Sequence, residues 1–304
     1  MKKSCLILCL FISNLILAQK CDSTILLTHL KTMVEVDKPR NDLNLESLDF
    51  VADYIYSEFS KYSKRVEYQL FTVNKKEYKN VICSFGPQDA ERIIIGAHYD
   101  VCYNQPGADD NASGTAGLLE LARLFENKKL NYRIDLVAYS LEEPPNFGMK
   151  TMGSYKHAEY LFENKIPVYG MIALEMIGYF SDERKSQHFP IKGLGLFYGT
   201  KGNFITSVQT FKAGRFVKKF NRKISKNKFI KHKKFTAPSK IYGVSLSDHL
   251  NYWKFGFSAC MITDTAFMRN PNYHQKSDTI ETLDLTKMVA VIDAVFNSIL
   301  KISQ

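Results

Sequence analysis

Four stretches of this chain are apolar almost without interruption, and each runs into acids or a histidine at its C-terminal end. Arg92 to Ala97 (RIIIGA) leads into His98-Tyr99-Asp100, and Ile134 to Leu141 (IDLVAYSL) into Glu142-Glu143. Val168 to Leu174 (VYGMIAL) leads into Glu175, and Phe257 to Thr263 (FSACMIT) into Asp264, ten residues before His274. Runs this continuous lack the alternation of a strand with one wet face, so they predict central strands covered on both sides. Helical spacing supplies the cover: Leu48, Val51, Ala52, Ile55 and Phe59 near the start, and Leu285, Met288, Val289, Ile292, Val295 and Ile299 at the end. Leu118, Leu121, Ala122 and Phe125 form a helix face between the first two strands, and Met152 to Asn164 can form another between the next two. Strands alternating with helices predict an α/β fold with a largely parallel core.

The opening, MKKSCLILCLFISNLILAQK, is a basic pair followed by an uncharged run from Ser4 to Gln19. It has the length of a secretory leader and is short for a membrane span, so residues 1–18 read as a signal peptide cleaved after Ala18. The product is expected in the periplasm or outside the cell, without a membrane span, and Lys20 argues against a lipid anchor on Cys21. No repeat, low-complexity tract or linker divides the remainder, which predicts one domain over 19–304. Its cysteines, Cys21, Cys83, Cys102 and Cys260, are too irregularly spaced for a disulfide scaffold or a CxxC metal site, although an oxidising compartment would permit a pair.

The net charge of +10 is local: Lys212 to Lys240 holds twelve Lys or Arg and no acid, and without it and Lys2 and Lys3 the chain is at about −4. That stretch reads as a helix running into a loop with a solvated face. No nucleic-acid motif accompanies it, so no nucleic-acid partner is expected.

In open α/β sheets the ligand crevice lies beyond the carboxyl ends of the strands, which would pool all these acids and histidines in one place. Several carboxylates together repel unless a cation sits among them. Interleaved histidine without thiolate points to zinc, with manganese or cobalt as alternatives. His98 and Asp100 leave the same strand face, so the histidine can ligate while the aspartate orients its ring. The loop PGADDNASG brings Asp109 and Asp110 to a helix start; Asp109 is expected on the metal and Asp110 as an N-terminal helix carboxylate. Glu142 and Glu143 precede Pro144-Pro145, which ends the strand and lets both reach one site, one as ligand and one to move a proton. The sequon Asn111-Ala112-Ser113 lies in this expected metal loop, so no glycan is expected there.

The strings GAHYD, PGADDNASG, LEEPP, ALEMIG and RNPNYHQKSDT, in this order, resemble the zinc exopeptidases of metallopeptidase family twenty-eight, which include bacterial leucyl aminopeptidases. The resemblance runs from about Leu48 to the C-terminus. It implies a mixed, largely parallel sheet sandwiched between helices, and a centre of two zinc ions per chain. Carried over by motif, His98, Asp109 and Glu175 hold one zinc and Asp109, Glu143 and His274 the other, with Asp109 bridging. Glu142 is then the general base and Asp100 the partner of His98.

Some relatives carry Asp where this chain has Glu175. The string Ser247-Asp248-His249 is present, and Tyr242 is the candidate for holding the substrate oxyanion. His249 is the rival to His274 as ligand; His29, His157, His188 and His232 lie outside the pattern. Met176, Tyr179, Phe267 and Met268 fit an apolar pocket and core packing equally well.

The implied reaction is hydrolysis of the first peptide bond of peptides with a free N-terminus. Alternatives are a glutaminyl-peptide cyclotransferase with a single zinc, a carboxypeptidase, and a non-catalytic protein that binds polyanions through the basic segment.

Overall fold

The apolar runs form the middle of an eight-stranded sheet. The computed structural model describes residues 20–304, so the leader read at 1–18 lies outside the described residues. The chain opens with two helices, α1 (Ser23–Val34), whose N-terminus is capped by the Asp22 carboxylate, and α2 (Leu45–Ser60). A hairpin of β1 (Val66–Val73) and β2 (Lys76–Phe85) follows, turning through Asn74 and Lys75 at positive φ. Then come β3 (Arg92–His98), α3 (Gly114–Phe125), β4 (Arg133–Tyr139), α4 (Gly153–Glu163) and β5 (Val168–Glu175). The last third holds α5 (Leu194–Tyr198), β6 (Ile205–Gln209), α6 (Gly214–Ile224), β7 (His232–Thr236), α7 (His249–Lys254), β8 (Ala259–Thr263) and α8 (Leu285–Ser303).

The strand order is β1-β2-β4-β3-β5-β8-β6-β7. The four strands expected from the apolar runs lie side by side and parallel as β4-β3-β5-β8, while β2 joins β4 and β6 joins β8 antiparallel. The sheet is therefore mixed with a parallel centre. Both faces of its centre are dry: Ile93, Ile95 and Ala97 of β3 pack into the layer that includes α2, α3 and α8, whereas Ile94 packs with Ala158 and Leu161 of α4 on the other side. That is why RIIIGA shows no alternation. The register sets His98 beside Tyr139 and Glu175 beside Thr263, so the catalytic-looking strand ends share one edge of the sheet.

Strands β1, β2, β6 and β7 were not legible in the pattern. The β6 segment ITSVQ is short and half polar, and β7 (HKKFT) sits in the segment 212–240 expected to be helix and loop. That expectation is corrected: α6 is followed by an edge strand, where lysines discourage pairing with another chain. Two phenylalanines of this segment, Phe216 and Phe220 of α6, are core residues, whereas Phe229 is exposed. All four cysteines of the described chain are free and buried.

Candidate active site

Strand β3 delivers His98, whose backbone oxygen accepts the Thr115 hydroxyl of α3 at 2.8 Å. The His98 ring turns Nδ1 toward Asp100, 3.2 Å from its backbone oxygen and 3.5 Å from its carboxylate. The same carboxylate accepts the backbone N–H of Glu142 on one oxygen and of Glu143 on the other, both at 3.1 Å. Asp100 thus braces the glutamate pair as well as the histidine. The free edge of His98, Nε2, faces Asp110 at 3.3 Å, Glu175 at 3.4 Å and Glu142 at 3.9 Å. Glu175 is steadied by the Ser247 hydroxyl at 2.7 Å.

The acid that faces both histidines is Asp110, which corrects the assignment of Asp109. Its Oδ2 lies 3.2 Å from His274 Nε2, and Glu143 Oε2 lies 3.4 Å from the same nitrogen. Asp109 is turned away: its two oxygens accept Gly178 N–H at 2.9 Å and the Asn270 amide at 2.7 Å. The physical reason lies in the loop. Asp110 (φ −104, ψ 89) and Asn111 (φ −133, ψ 38) are not helical, so Asp110 is no helix-end carboxylate, and its side chain points opposite to its neighbour's. Asn111 locks this shape, donating to Leu174 O and accepting Gly114 and Met176 N–H, which buries the sequon.

Beyond the strands the chain repeatedly uses left-handed backbone at residues other than glycine: Leu141 (φ 59), Met176 (φ 49), Thr265 (φ 96) and His274 (φ 57). Such conformations persist only where surrounding structure enforces them; Leu141 and Met176 directly adjoin the site acids Glu142 and Glu175, and His274 is itself a site residue.

Electrostatics set the terms of the site. Burial, with repulsion among the acids, pushes the Glu142, Glu143 and Glu175 carboxyls above the usual range. Burial alone would push His98 down, but Glu142 and Glu175 outweigh it and hold it well above its ordinary value. Burial would likewise raise Asp110, yet the close approach of His274 and His98 holds it well below the carboxylate range.

His98 Nε2, Asp110 Oδ2 and Glu143 Oε1 are buried without a hydrogen-bond partner. Orphaned imidazole and carboxylate atoms converging on one another fit divalent cations. Two sets, His98–Asp110–Glu175 and Asp110–Glu143–His274, share the one carboxylate.

The crevice continues into a pocket lined by Phe189, Phe204, Phe235, Met261 and Phe267 beside the acids. Of the expected pocket residues, Phe267 and Met268 line it, whereas Met176 is buried in the core and Tyr179 binds Asp264 through its backbone. Tyr242 lines the pocket, 65% exposed, with its ring against Phe267 at 4.9 Å. Tyr273, which sequence reasoning missed, stacks on His274 at 3.8 Å; its position next to that histidine was the available signal. His249 faces elsewhere, bonding Val244 O at 2.8 Å with its ring edge on Trp253. Asp264 contacts Asp109 and not the histidines.

Two further supports had no sequence signal. Asp278 accepts the backbone N–H of Asp109 at 2.9 Å and of Asp110 at 3.1 Å. Arg40, 1% exposed, donates to the backbone oxygens of Met33, Tyr99, Pro106 and Gly107, tying the loop to β3.

The chain resembles several known proteins. The chain is 41% identical over 265 residues to the uncharacterized protein YfbL of Escherichia coli K12, covering 84% of this chain and 81% of that one. It is 26% identical over 226 residues to leucine aminopeptidase 1 of Arthroderma otae, covering 69% of this chain and 54% of the relative.

Among solved structures, the LapA aminopeptidase of Legionella pneumophila superposes with a TM-score of 0.73 at 21% identity, over 93% of this chain and 73% of that one. A Tannerella forsythia glutaminyl cyclase superposes at 0.68 and 19%, over 93% and 99%. Both structural likenesses speak to the fold. The family model for peptidase family M28 matches residues 80–299, which contain every strand-end acid and both facing histidines, and the chain belongs to that family.

Proposed function

We propose that this M28 peptidase is an exported aminopeptidase that holds two zinc ions and removes the N-terminal residue of peptides. The observation that carries the reading is the division of Asp110: one oxygen faces His98 and the other His274, each beside a further glutamate. One buried carboxylate serving two donor sets is what a pair of metal ions requires. His98, Asp110 and Glu175 would hold one ion, and Asp110, Glu143 and His274 the other. When bound, the pair supplies Lewis acidity toward the scissile carbonyl and the attacking water.

The chain's own groups do the rest. Glu142 is 5% exposed and held by Asp100 through its backbone, beside both sets without being shared between them. It takes the proton of the attacking water and returns it to the departing amine. Asp100 fixes the ring of His98 and the direction of both glutamates. Tyr242 hydrogen-bonds the carbonyl oxygen as charge develops on it, and the apolar pocket takes the side chain of the first residue. The basic pair and uncharged run at the start of the sequence support export, with residues 19–304 as one catalytic unit.

A second reading, glutaminyl cyclisation on a single zinc, is favoured by the fold shared with the glutaminyl cyclase. One experiment separates them: a mixture of free and N-acetylated peptides, some beginning with glutamine, followed by mass spectrometry. Loss of whole residues from free peptides alone supports the aminopeptidase. Loss of ammonia without residue loss overturns it, and cleavage from the carboxyl end would make the protein a carboxypeptidase.

A further inference from the structure

Cys102 lies in the loop between β3 and the Asp109–Asp110 turn, 1% exposed. It is not packed as a small hydrophobe. Its sulfur, a Glu143 oxygen and a His274 nitrogen all lie within 4.8 Å of one another. Among the described residues no other cysteine joins such a group; Cys21, Cys83 and Cys260 are buried elsewhere. A second observation points to a ligand at the same spot. Glu143 is 4% exposed, and its Oε1 is buried with no hydrogen-bond partner although its Oε2 faces His274. The His274 ring is steadied by Tyr273, stacked on it at 3.8 Å.

We propose that the Cys102 thiolate is a ligand of the metal ion held by Glu143 and His274, an inference that rests on the two-metal reading above. Coordination replaces the S–H proton by the metal; the proton leaves to solvent and no electrons change hands. A thiolate there makes the two halves of the centre unlike. The ion beside Cys102 gains a soft, anionic donor, which holds it more tightly, favours zinc, cobalt or cadmium over magnesium or manganese, and reduces its Lewis acidity. The ion beside His98 keeps only nitrogen and oxygen donors and remains the more acidic of the two.

The test is a titration of the metal-free full-length protein with cobalt(II) chloride, read by absorption. The expected result is a near-ultraviolet sulfur-to-cobalt charge-transfer band that appears together with the visible cobalt bands. Cys102→Ser and Cys102→Ala should keep the visible bands and lose the near-ultraviolet one, whereas Cys260→Ser should keep both. Visible bands without the near-ultraviolet band in the unmodified protein would overturn the thiolate ligand and leave the two-metal reading standing, with no variant needed. A near-ultraviolet band that survives in both Cys102 variants would also overturn it. Absence of any cobalt spectrum would overturn both readings.

Discussion

Asp278 holds the backbone of Asp110 across 168 residues of sequence, its carboxylate accepting the Asp110 N–H at 3.1 Å while the other oxygen takes that of Asp109. The pair of bonds decides which of two adjacent acids enters the crevice. Asp110→Asn should therefore strip metal from both sets, while Asp109→Asn should retain it and cost about 1–3 kcal/mol of stability through its buried hydrogen bonds. Elemental analysis after dialysis, paired with denaturant unfolding, reads both outcomes. Metal loss in Asp109→Asn alone would restore Asp109 as the shared ligand.

The adjacent glutamates should separate in the same way. Glu142→Gln preserves shape and bound metal but cannot take a proton, so kcat should fall on the order of 100- to 10,000-fold. Glu143→Gln should lose the metal that it and His274 hold. Steady-state kinetics with metal analysis tests the pair, and reversed phenotypes would exchange base and ligand.

Chelation should lower thermal stability, because it leaves Glu142, Glu143 and Glu175 buried together without a cation. Zinc should restore it in a concentration-dependent way, by roughly 3–4 kcal/mol when the free ion exceeds its dissociation constant 100- to 1,000-fold. Calorimetry across a zinc series checks this; an unfolding temperature indifferent to zinc contradicts a metal centre.

Arg40 bonds four backbone oxygens from a buried position. Arg40→Met fills much of the volume but leaves those carbonyls without their donor, at a cost of about 1–3 kcal/mol for each left unsatisfied, unless water enters. Urea unfolding should show a loss of several kcal/mol, with hydrogen exchange faster at Gly107 and Tyr99 before elsewhere.

His157 is buried, and its Nδ1 lies 2.6 Å from the Tyr252 hydroxyl, which pairs with Tyr139. Burial holds its pKa down to about 4 from 6.5. Between these values the unfolded chain binds the proton and the folded protein does not, so the contribution is present above pH 6.5 and lost as pH falls toward 4. The stability gap between the unmodified protein and His157→Gln should shrink by about 3 kcal/mol over that window. A gap constant with pH would mean that this histidine titrates normally.

The four central strands, their parallel order and the pooling of acids at their ends were legible in the sequence, because a strand covered on both faces must be apolar throughout and leaves its polar residues at the end. Glu142, Glu143, Glu175, His98 and His274 could be placed at one site on that ground. What the pattern could not carry was orientation across loops. Asp109 and Asp110 are chemically alike and adjacent, and nothing local distinguishes them. The choice is made by Asp278, Asn270 and Gly178, which come from distant segments and hold the turn with one carboxylate in and one out. Strand β7 was hidden for the related reason that an edge strand has little apolar obligation. Local hydrophobic periodicity and strand termini fix which chemistry gathers at the sheet edge. Which atom of which acid faces which histidine is set only when the chain is folded, because it depends on hydrogen bonds between residues far apart in the chain.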